Sequence, residues 1–459
     1  MKFRLQDIFG IDARSLAVFR IGLALTIIFD LIDRFRDLTA FYTDAGVMPR
    51  EWVVGHYSLF WRLFSVHLWG GSFYFQALLF ALAFIAAVAL LLGYRTRLAT
   101  IISWVLAVSV LVRNPMIAYG ADSLTRVLLF WAMFLPLGSY WSIDAPIEAK
   151  QRESGSESTL KAARVFSAAS FALILQVLLL YWFSSILKNG PEWQNGTALY
   201  YALSDNIHGS VLGRYLLGFP ALIPIFTYGV KWFELLGTFL FLAPISYGLL
   251  RTVGVVLFSV LQVGIFLGLN VGLLPLVSLV GGLIFLPPWF WNKFSRKESR
   301  AEIILSRPVN IVIGILVVLV ILINLSSVFP VLGRAGSNIV SDILHLNQRW
   351  APFAPRPPLV NKWYEIPAEL GTGKKINLYT EILPYTNKRW INFFESVNSE
   401  GFENYPLSYL GDYLCREWRA RNGTGIESLK MIISTQKIPF YGEKGKITSS
   451  DILRHNCSE

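Results

Sequence analysis

The chain contains nine long runs of apolar residues, and their length restricts its fold more than any other feature does. At least eight of them extend over about 17 residues with almost no charge, which is the length a helix needs to cross a bilayer core. Hydrophobic residues make up 54% of the 459 residues and charged residues only 15%, whereas ordinary soluble domains carry roughly 25% charged residues. We therefore predict an α-helical integral membrane protein and exclude a soluble enzyme. The predicted spans are residues 15–35, 72–93, 98–112, 123–139, 165–187, 222–245, 252–268, 272–290 and 309–329.

The basic residues of the chain indicate how these spans are oriented. They collect near the N-terminus and in the loops around residues 95, 150, 251 and 300. An alternation of nine spans places all of these positions on one side, and basic loops are typical of the cytoplasmic side. We predict a cytoplasmic N-terminus, with residues 36–71, 188–221 and the tail from residue 330 facing outward. The net charge of +11 is then explained by membrane topology and does not indicate a nucleic-acid partner.

The tail differs in composition from the rest of the chain. About one residue in five is charged after residue 329, which is typical of a water-soluble region. We predict a transmembrane domain over residues 1–329 and a small extracytoplasmic α+β domain over residues 330–459. Both cysteines of the chain, Cys415 and Cys457, lie in the tail. Outside the cytosol such a pair can persist as a disulfide, so we predict a Cys415–Cys457 bridge, with two unpaired thiols as the alternative.

Ionisable residues within the spans are candidate functional residues, because burying a charge in a bilayer is costly. Asp122 and Arg126 are four residues apart, and Lys231 and Glu234 are three apart. The two residues of each pair lie on the same helix face. The simplest interpretation is that each pair forms a structural ion pair. The five histidines show no ligand spacing, and the sequence contains neither HExxH nor CxxC. We therefore predict no metal site.

Lys188 follows the fifth span, where the chain reaches the outer interface. A lysine at this position can extend its amine to water. The next residues, which include Pro191 and Trp193, instead suggest that the chain folds back over a cavity. An amine held in such a pocket loses hydration, which lowers its pKa and lets it act as a base.

Several segments taken together resemble a known family. In order they are SLAVFR (15–20), FYTDAGVMP (41–49), GYRTR (93–97), RN through YG to YWSID (113–144), KNGPEW (188–193) and NVGLLP (270–275). This series resembles the HTTM (horizontally transferred transmembrane) domain superfamily, the membrane module shared by vitamin K-dependent γ-glutamyl carboxylases and many bacterial relatives. The resemblance covers residues 10–290. QRWAPFAP at 348–355 is similar to the start of the outward domain in bacterial members.

The resemblance implies chemistry at the outer side of the membrane. In the carboxylases, a lysine followed closely by a tryptophan deprotonates a reduced quinone, which oxygen then converts to a strong base. Lys188 matches that lysine by its spacing to Trp193, and Asn114 matches a polar residue beside the quinone. The residues implied to take part are catalytic Lys188, Asn114 and Gln262, cofactor-binding Tyr119, Trp193 and Arg126, and substrate-binding His208. The implied cofactor is reduced vitamin K or a similar menaquinol.

The chain also departs from the carboxylases. As aligned, they carry histidines where this chain has Pro115 and Gln262, and they have a larger lumenal portion. The first hypothesis is therefore an enzyme that acts through Lys188 on a quinone, a lipid-soluble cofactor, or a protein or peptide substrate, with an altered reaction. The second is a non-catalytic anchor or maturation factor for an envelope or secreted protein, and the third is a transporter. The expected location is a bacterial inner membrane, with membrane lipids as partners.

Overall fold

The protein is a helical bundle followed by a C-terminal region that contains most of its β structure. The computed structural model describes residues 5–145, 164–243, 248–294, 302–303, 307–333, 339–383, 388–397, 399, 401–442 and 445–457. Most of the basic positions predicted near residues 150 and 300 lie outside these ranges, whereas Arg164, Lys293 and Arg307 lie within them. The boundary predicted after residue 329 stays a prediction.

The bundle consists of apolar helices that differ in length. In chain order they are α1 (Ala13–Arg36), α2 (Phe73–Leu92), α3 (Thr96–Arg113), α4 (Gly120–Ala132), α5 (Ala168–Leu187), α6 (Leu222–Leu236), α7 (Leu249–Gly268), α8 (Leu274–Gly282) and α9 (Arg307–Ser326). Within the described residues, seven helices are long and apolar enough to cross a membrane; one of these is α6 together with its continuation to Leu242. The predicted class, a multi-span helical membrane protein, is confirmed.

The predicted count of nine spans is not confirmed. The fourth and eighth predicted spans contain α4 and α8, which have only 13 and 9 residues. At 1.5 Å per residue, 13 residues cover about 20 Å of a hydrocarbon core of roughly 30 Å. Local sequence explains the short helices, because α4 is followed by Pro136 and α8 ends at a Gly281–Gly282 pair before Pro287.

Capping residues set the ends of the long helices. The carboxylate of Asp12 accepts a hydrogen bond from the Arg14 N–H at 2.9 Å, which begins α1. The hydroxyl of Ser72 accepts one from the Phe75 N–H at 3.3 Å, which begins α2. Gly93 ends α2 with a φ of 67°, a conformation that glycine adopts without a steric penalty. The sequence thus specifies these ends locally.

A three-stranded sheet marks one end of the bundle. Strand β1 (Ile11–Asp12) pairs antiparallel with β2 (Arg164–Val165), which pairs parallel with β3 (Glu302–Ile303). These strands precede α1, α5 and α9, so the three helices start at the same end. The guanidinium of Arg251 donates to the carbonyl oxygens of Asp7 and Ile8 at 2.7 Å. The first turn of α7 therefore lies at this end as well.

The C-terminal region covers the opposite end of the bundle with a mixed sheet–helix unit. Its five antiparallel strands are β4 (Val360–Glu365), β5 (Pro367–Leu370), β6 (Lys375–Asn377), β7 (Ile426–Lys437) and β8 (Ile447–Asn456). The sheet order is β4-β7-β5-β6, and β8 pairs with β7. Helices α10 (Lys388–Ser396) and α11 (Ser408–Asn422) pack with it.

Helix α10 joins the sheet to the bundle. Its buried residues Trp390, Phe393 and Phe394 follow the i, i+3, i+4 spacing of one helix face. The Trp390 ring lies 4.5 Å from that of Phe41, just after α1, and the Phe394 ring lies 5.0 Å from that of Tyr364 in β4. One apolar face thus contacts both parts of the molecule.

The predicted disulfide is confirmed. Cys415 in α11 is bonded to Cys457 after β8, with the two Cα atoms 5.9 Å apart. The bridge closes the end of β8 onto the helix that packs on the sheet.

The remaining helical turns lie in the connections. The short α-helices are Leu5–Phe9, Leu38–Tyr42, Arg50–His56, Leu59–Arg62, Pro191–Gln194, Ala198–Ser204, Val211–Arg214, Thr238–Leu242, Pro288–Trp291, Ile339–Ile343 and Leu378–Glu381. The 3₁₀ turns are Val66–Leu68, Pro115–Ile117, Tyr215–Gly218, Leu283–Phe285 and Pro330–Leu332.

Candidate active site

Lys188 is buried at the C-terminal end of α5, at the bundle end that the C-terminal region covers. Its side chain is 3% exposed, so the amine does not extend to solvent. The chain turns back directly after it because Gly190 lies against Pro355, where a Cβ on Gly190 would come within 2.5 Å of the Pro355 carbonyl oxygen. The Gly190 N–H donates to that oxygen at 3.0 Å. This close approach closes the loop over Lys188.

The amine of Lys188 forms an ion pair inside the bundle. Its Nζ contacts the carboxylate of Glu234 in α6, which also accepts a hydrogen bond from the Ser184 hydroxyl at 3.1 Å. The centre of the Trp193 ring lies 5.0 Å from the same Nζ, within range of a cation–π contact. Trp193 is fixed in turn, because its indole N–H donates to the Phe353 carbonyl oxygen at 2.9 Å.

A mostly apolar cavity of about 120 Å³ lies beside this ion pair. Lys188, Trp193 and Gln262 all line it, and so does Glu234. The Gln262 amide donates to the Tyr181 hydroxyl at 3.1 Å. Apolar walls with a few convergent polar groups are typical of small-molecule sites. The structure therefore brings together three of the seven residues that the resemblance implied.

Two of the other implied residues lie away from this cavity. Asn114 is buried after the last residue of α3, and its amide donates to the Phe41 carbonyl oxygen at 3.1 Å. Arg126 lies in α4 and donates to the carbonyl oxygen of Asn347. Neither residue lines the Lys188 cavity. The structure thus does not bring Asn114 and Arg126 together with Lys188, and the roles predicted for them stay predictions.

Tyr119 and His208 line a second space, the outer cleft, between the bundle and the C-terminal region. The cleft has two parts of about 580 and 620 Å³, and Tyr119, Ile207, Lys362 and Lys388 line both. His208 lines the first part only. Both this part and the Lys188 cavity include Val271, Leu274, Pro352 and Phe353 in their walls. The two spaces are thus neighbours separated by a shared wall.

His208 takes part in a short hydrogen-bonded series in the outer cleft. Its Nδ1 lies 2.6 Å from a carboxylate oxygen of Asp205, and its Nε2 lies 3.3 Å from Lys388 Nζ. Burial lowers the pKa of the Lys388 amine, although the nearby carboxylates of Glu395 and Asp205 oppose that shift.

Comparison with known proteins identifies the family of the chain. The HTTM domain matches residues 10–290, which is more than half of the sequence. This chain belongs to the HTTM domain family. The match covers α1 to α8, including the bundle residues that line the Lys188 cavity and the outer cleft. It ends before α9 and the C-terminal region. No characterised protein and no solved structure shows significant similarity to the chain.

Within the HTTM domain, the charged pairs predicted from local spacing are wrong. Asp122 does not pair with Arg126 in its own helix; it contacts Arg34 of α1 and Arg389 of α10. Asp30 contacts the same two arginines. We call Asp30, Arg34, Asp122 and Arg389 the four-charge cluster. Spacing within one helix could not predict it, because Arg389 comes from a distant part of the sequence.

Glu234 likewise has a different partner from the one that spacing predicted. It pairs with Lys188 of α5 rather than with Lys231, whose amine lies 5.7 Å from the centre of the Trp232 ring. Glu234 is 5% exposed and faces the cavity. The sequence signal was its carboxylate within a span, and only the packing of α5 against α6 shows its partner.

Proposed function

We propose that the protein is a membrane enzyme that uses Lys188 and Glu234 as an acid–base pair on a lipid-soluble molecule. The observation that carries this proposal is the position of a buried amine and a buried carboxylate in direct contact beside a mostly apolar cavity. A purely structural ion pair has no need of such a cavity. Membership of the HTTM family supports the same location for the chemistry, since the carboxylase module places its base at a matching lysine.

The two groups of the pair can exchange a proton with each other. Two charges in a poorly hydrated interior are costly, and moving the ammonium proton to the carboxylate removes both charges at once. Glu234 can therefore take the proton from Lys188 and leave a neutral amine that accepts a proton from a bound molecule. The Ser184 hydroxyl and the Trp193 ring hold the two groups in place.

We propose that the bound molecule is a reduced quinone of the vitamin K or menaquinol type. The polar groups in its walls are few, and aromatic rings such as those of Trp193 and Phe353 suit a flat apolar ring system. Lys188 and Gln262 would hold a polar oxygen of such a molecule. When bound, a quinol supplies a dissociable hydroxyl and reducing electrons; the chain supplies the base, the orientation and the exclusion of water.

The reaction would differ from full carboxylation. Gln262 offers a neutral amide where a carboxylase histidine could donate to a developing negative charge, and Pro115 has no N–H to donate. We propose that a protein or peptide substrate of the envelope or of secretion, if one is used, meets the quinone from the outward side. The same proposal includes a cytoplasmic N-terminus, an outward-facing C-terminal region and a bacterial inner membrane. It also includes nine spans, in which α4 and α8 each cross the membrane together with the residues that follow them.

A non-catalytic role is the second candidate, and one observation favours it. The Lys188–Glu234 contact links α5 to α6, as a structural brace would. The protein would then anchor its C-terminal region and assist the maturation of a secreted or envelope protein.

Replacing Lys188 by alanine tests the enzyme hypothesis. In purified full-length protein in lipid nanodiscs, we expect Lys188→Ala and Glu234→Gln to lower quinol-dependent turnover by at least about 100-fold, the usual contribution of a positioned acid or base. Binding of menadiol, measured by quenching of tryptophan fluorescence, should weaken as well. Lys231→Ala is the matched control, because Lys231 lies one helical turn from Glu234 and outside the cavity.

The result that contradicts the proposal is unchanged menadiol binding in Lys188→Ala at unchanged folding. If instead the two variants lose thermal stability and the wild type binds no quinone, the brace hypothesis is favoured. The orientation is tested separately by fusing to the C-terminus a reporter enzyme that is active only outside the cytosol. If the C-terminal region faces outward, this reporter is active.

A further inference from the structure

The outer cleft holds an amine that the Lys188 hypothesis does not use. Lys388 Nζ, His208 and Asp205 form a series in which each group lies within hydrogen-bonding distance of the next. The Asp205 carboxylate also accepts the His208 backbone N–H at 2.9 Å, which fixes the loop that carries the ring. Because Nδ1 faces a carboxylate, that nitrogen carries the proton, and Nε2 presents a lone pair to Lys388.

The position of Lys388 is fixed by its neighbours in the sequence. Arg389 enters the bundle, where it contacts Asp122 at 2.8 Å and donates to the Ile117 carbonyl oxygen at 3.1 Å. The indole N–H of Trp390 donates to Asp37 at 3.1 Å. Two successive side chains thus hold the first turn of α10 against the bundle. A reactive group needs this kind of rigid support.

Other charged or titratable groups face Lys388 from each surrounding element. Glu395 lies on the same helix, with a carboxylate oxygen 3.9 Å from His208 Nε2. Lys362 lies on β4, and Tyr119 lies before α4. The outer cleft is also lined by Asp33, Arg36, Asp37, Arg356, Tyr364 and Tyr379. Groups of both charges and several phenols thus surround the Lys388 amine. Burial outweighs the carboxylates of Glu395 and Asp205 and lowers the pKa of that amine.

The outer cleft has an apolar margin on the side of the bundle. Phe29 of α1 and Phe266 of α7 line its second part, and they are 55% and 59% exposed. Both sit on helices that are long and apolar enough to cross the membrane, near the ends that the C-terminal region covers. The exposed rings face the surroundings of the bundle, whereas Lys362 and Lys388 lie inside the cleft. This arrangement suits an amphiphile with its chain at the rings and its anionic head group at the amines.

We propose that the outer cleft is a second acid–base site, in which Lys388 takes a proton from the anionic, protonatable head group of a membrane-borne amphiphile. His208 and Asp205 act as positioning residues that hold the amine. The site is separate from the Lys188 cavity and does not depend on the function proposed for it.

The proton transfer balances without a further reagent. The neutral amine of Lys388 accepts the head-group proton and becomes an ammonium, and the head group gains one negative charge. The ammonium donates a hydrogen bond to His208 Nε2, and the Asp205 carboxylate holds the imidazole ring. The proton returns from the amine to the head group when the head group is released.

The reactivity of the Lys388 amine tests this proposal without knowledge of the substrate. Full-length protein in phosphatidylcholine nanodiscs is treated with acetic anhydride at pH 6 to 11, and acetylation of each lysine is followed by peptide mass spectrometry. We expect the reactivity of Lys388 to rise at a lower pH than that of Lys375, an exposed lysine of β6, because burial lowers the pKa of the Lys388 amine. In His208→Gln the midpoint for Lys388 should shift while that of Lys375 stays.

A Lys388 midpoint equal to that of Lys375, or no acetylation of Lys388 at any pH, overturns the proposal. The wild-type profile decides this even if His208→Gln fails to fold. Lys231→Ala is the control and should leave the profile unchanged, because Lys231 lines neither the outer cleft nor the Lys188 cavity.

The head-group class is tested by protection. Nanodiscs that contain dioleoyl phosphatidic acid should slow acetylation of Lys388 several-fold relative to phosphatidylcholine alone, with no effect on Lys375. Glycerol phosphate at the same concentration should protect less, because it lacks the chains that contact Phe29 and Phe266. Equal rates with and without phosphatidic acid refute the amphiphile as the substrate.

Discussion

Arg389 shows how one side chain can join two parts of a molecule. It is 1% exposed, and its guanidinium contacts Asp30 and Asp122 of the bundle and lies 4.7 Å from the centre of the Tyr119 ring. Two carboxylates and two guanidiniums thus neutralise one another in the four-charge cluster. Breaking such a group by removing one member costs far more than forming it contributes, because an uncompensated charge stays buried.

We predict that Arg389→Met destabilises the protein by about 3–5 kcal/mol, since the four-charge cluster keeps an excess negative charge. Urea unfolding of the purified protein, followed by tryptophan fluorescence, measures this. Arg421→Ala is the control, because Arg421 pairs with Glu417 on the surface of α11 and should cost no more than about 1 kcal/mol. Equal effects of the two substitutions would contradict the role of the cluster.

Glu192 and Arg356 give a pH-dependent contact between the bundle and the C-terminal region. The hydrogen bond from Arg356 is the main reason why the pKa of Glu192 lies below its usual range. The contact therefore stabilises the fold at pH values above the ordinary glutamate pKa and is lost as the pH falls through the lowered value. We predict that Glu192→Gln lowers the melting temperature at pH 7, and that this difference shrinks towards pH 3. A difference that stays constant over this range would count against the ion pair.

At the level of elements, the turn before α8 depends on a glycine. Gly272 has a φ of 66°, and a Cβ there would lie 2.8 Å from the Tyr119 ring. The turn thus lets the start of α8 pack closely against the segment before α4. The two helices α4 and α8 are both short, and they pack against each other in space that longer helices would otherwise fill.

We predict that Gly272→Ala destabilises the protein by about 1–2 kcal/mol from the left-handed backbone alone, and by more if the Tyr119 ring cannot move. Gly314→Ala is the matched control: Gly314 lies within α9, and no heavy atom lies within 4 Å of its added Cβ. That substitution should be neutral or stabilising. Thermal unfolding compares the two, and a Gly272→Ala protein as stable as wild type would refute the constraint.

The sequence predicted those features that depend on local residues. Apolar runs identified the long helices because a span must be continuously apolar, and two cysteines in one region left a single possible bridge. The partners of the buried charges were not predictable, because spacing describes neighbours within one helix only. Asp122 and Arg389 are 267 residues apart, and Lys188 and Glu234 lie in different helices. The sequence therefore predicted Lys188 as a candidate residue but did not predict its contact with Glu234.

At the scale of the whole molecule, the disulfide secures the last strand of the C-terminal region. The bridge closes a loop with a sequence separation of 42 residues, which corresponds to about 4 kcal/mol of lost unfolded-state entropy. We predict that a Cys415→Ala/Cys457→Ala protein loses about 2–4 kcal/mol in the unfolding of this region, measured by limited proteolysis in urea. Reduction of the wild type should give the same loss. A change below 1 kcal/mol would contradict the prediction.

The four-charge cluster also has a consequence for biosynthesis. A ribosome delivers Arg389 only after every bundle helix has been translated, so the newly inserted bundle holds Asp30 and Asp122 with Arg34 as their one arginine partner from the cluster. Until Arg389 has been translated, the nascent membrane portion thus carries a surplus negative charge in the cluster. Truncation before α10 should leave a bundle that quality-control proteases recognise as unfinished.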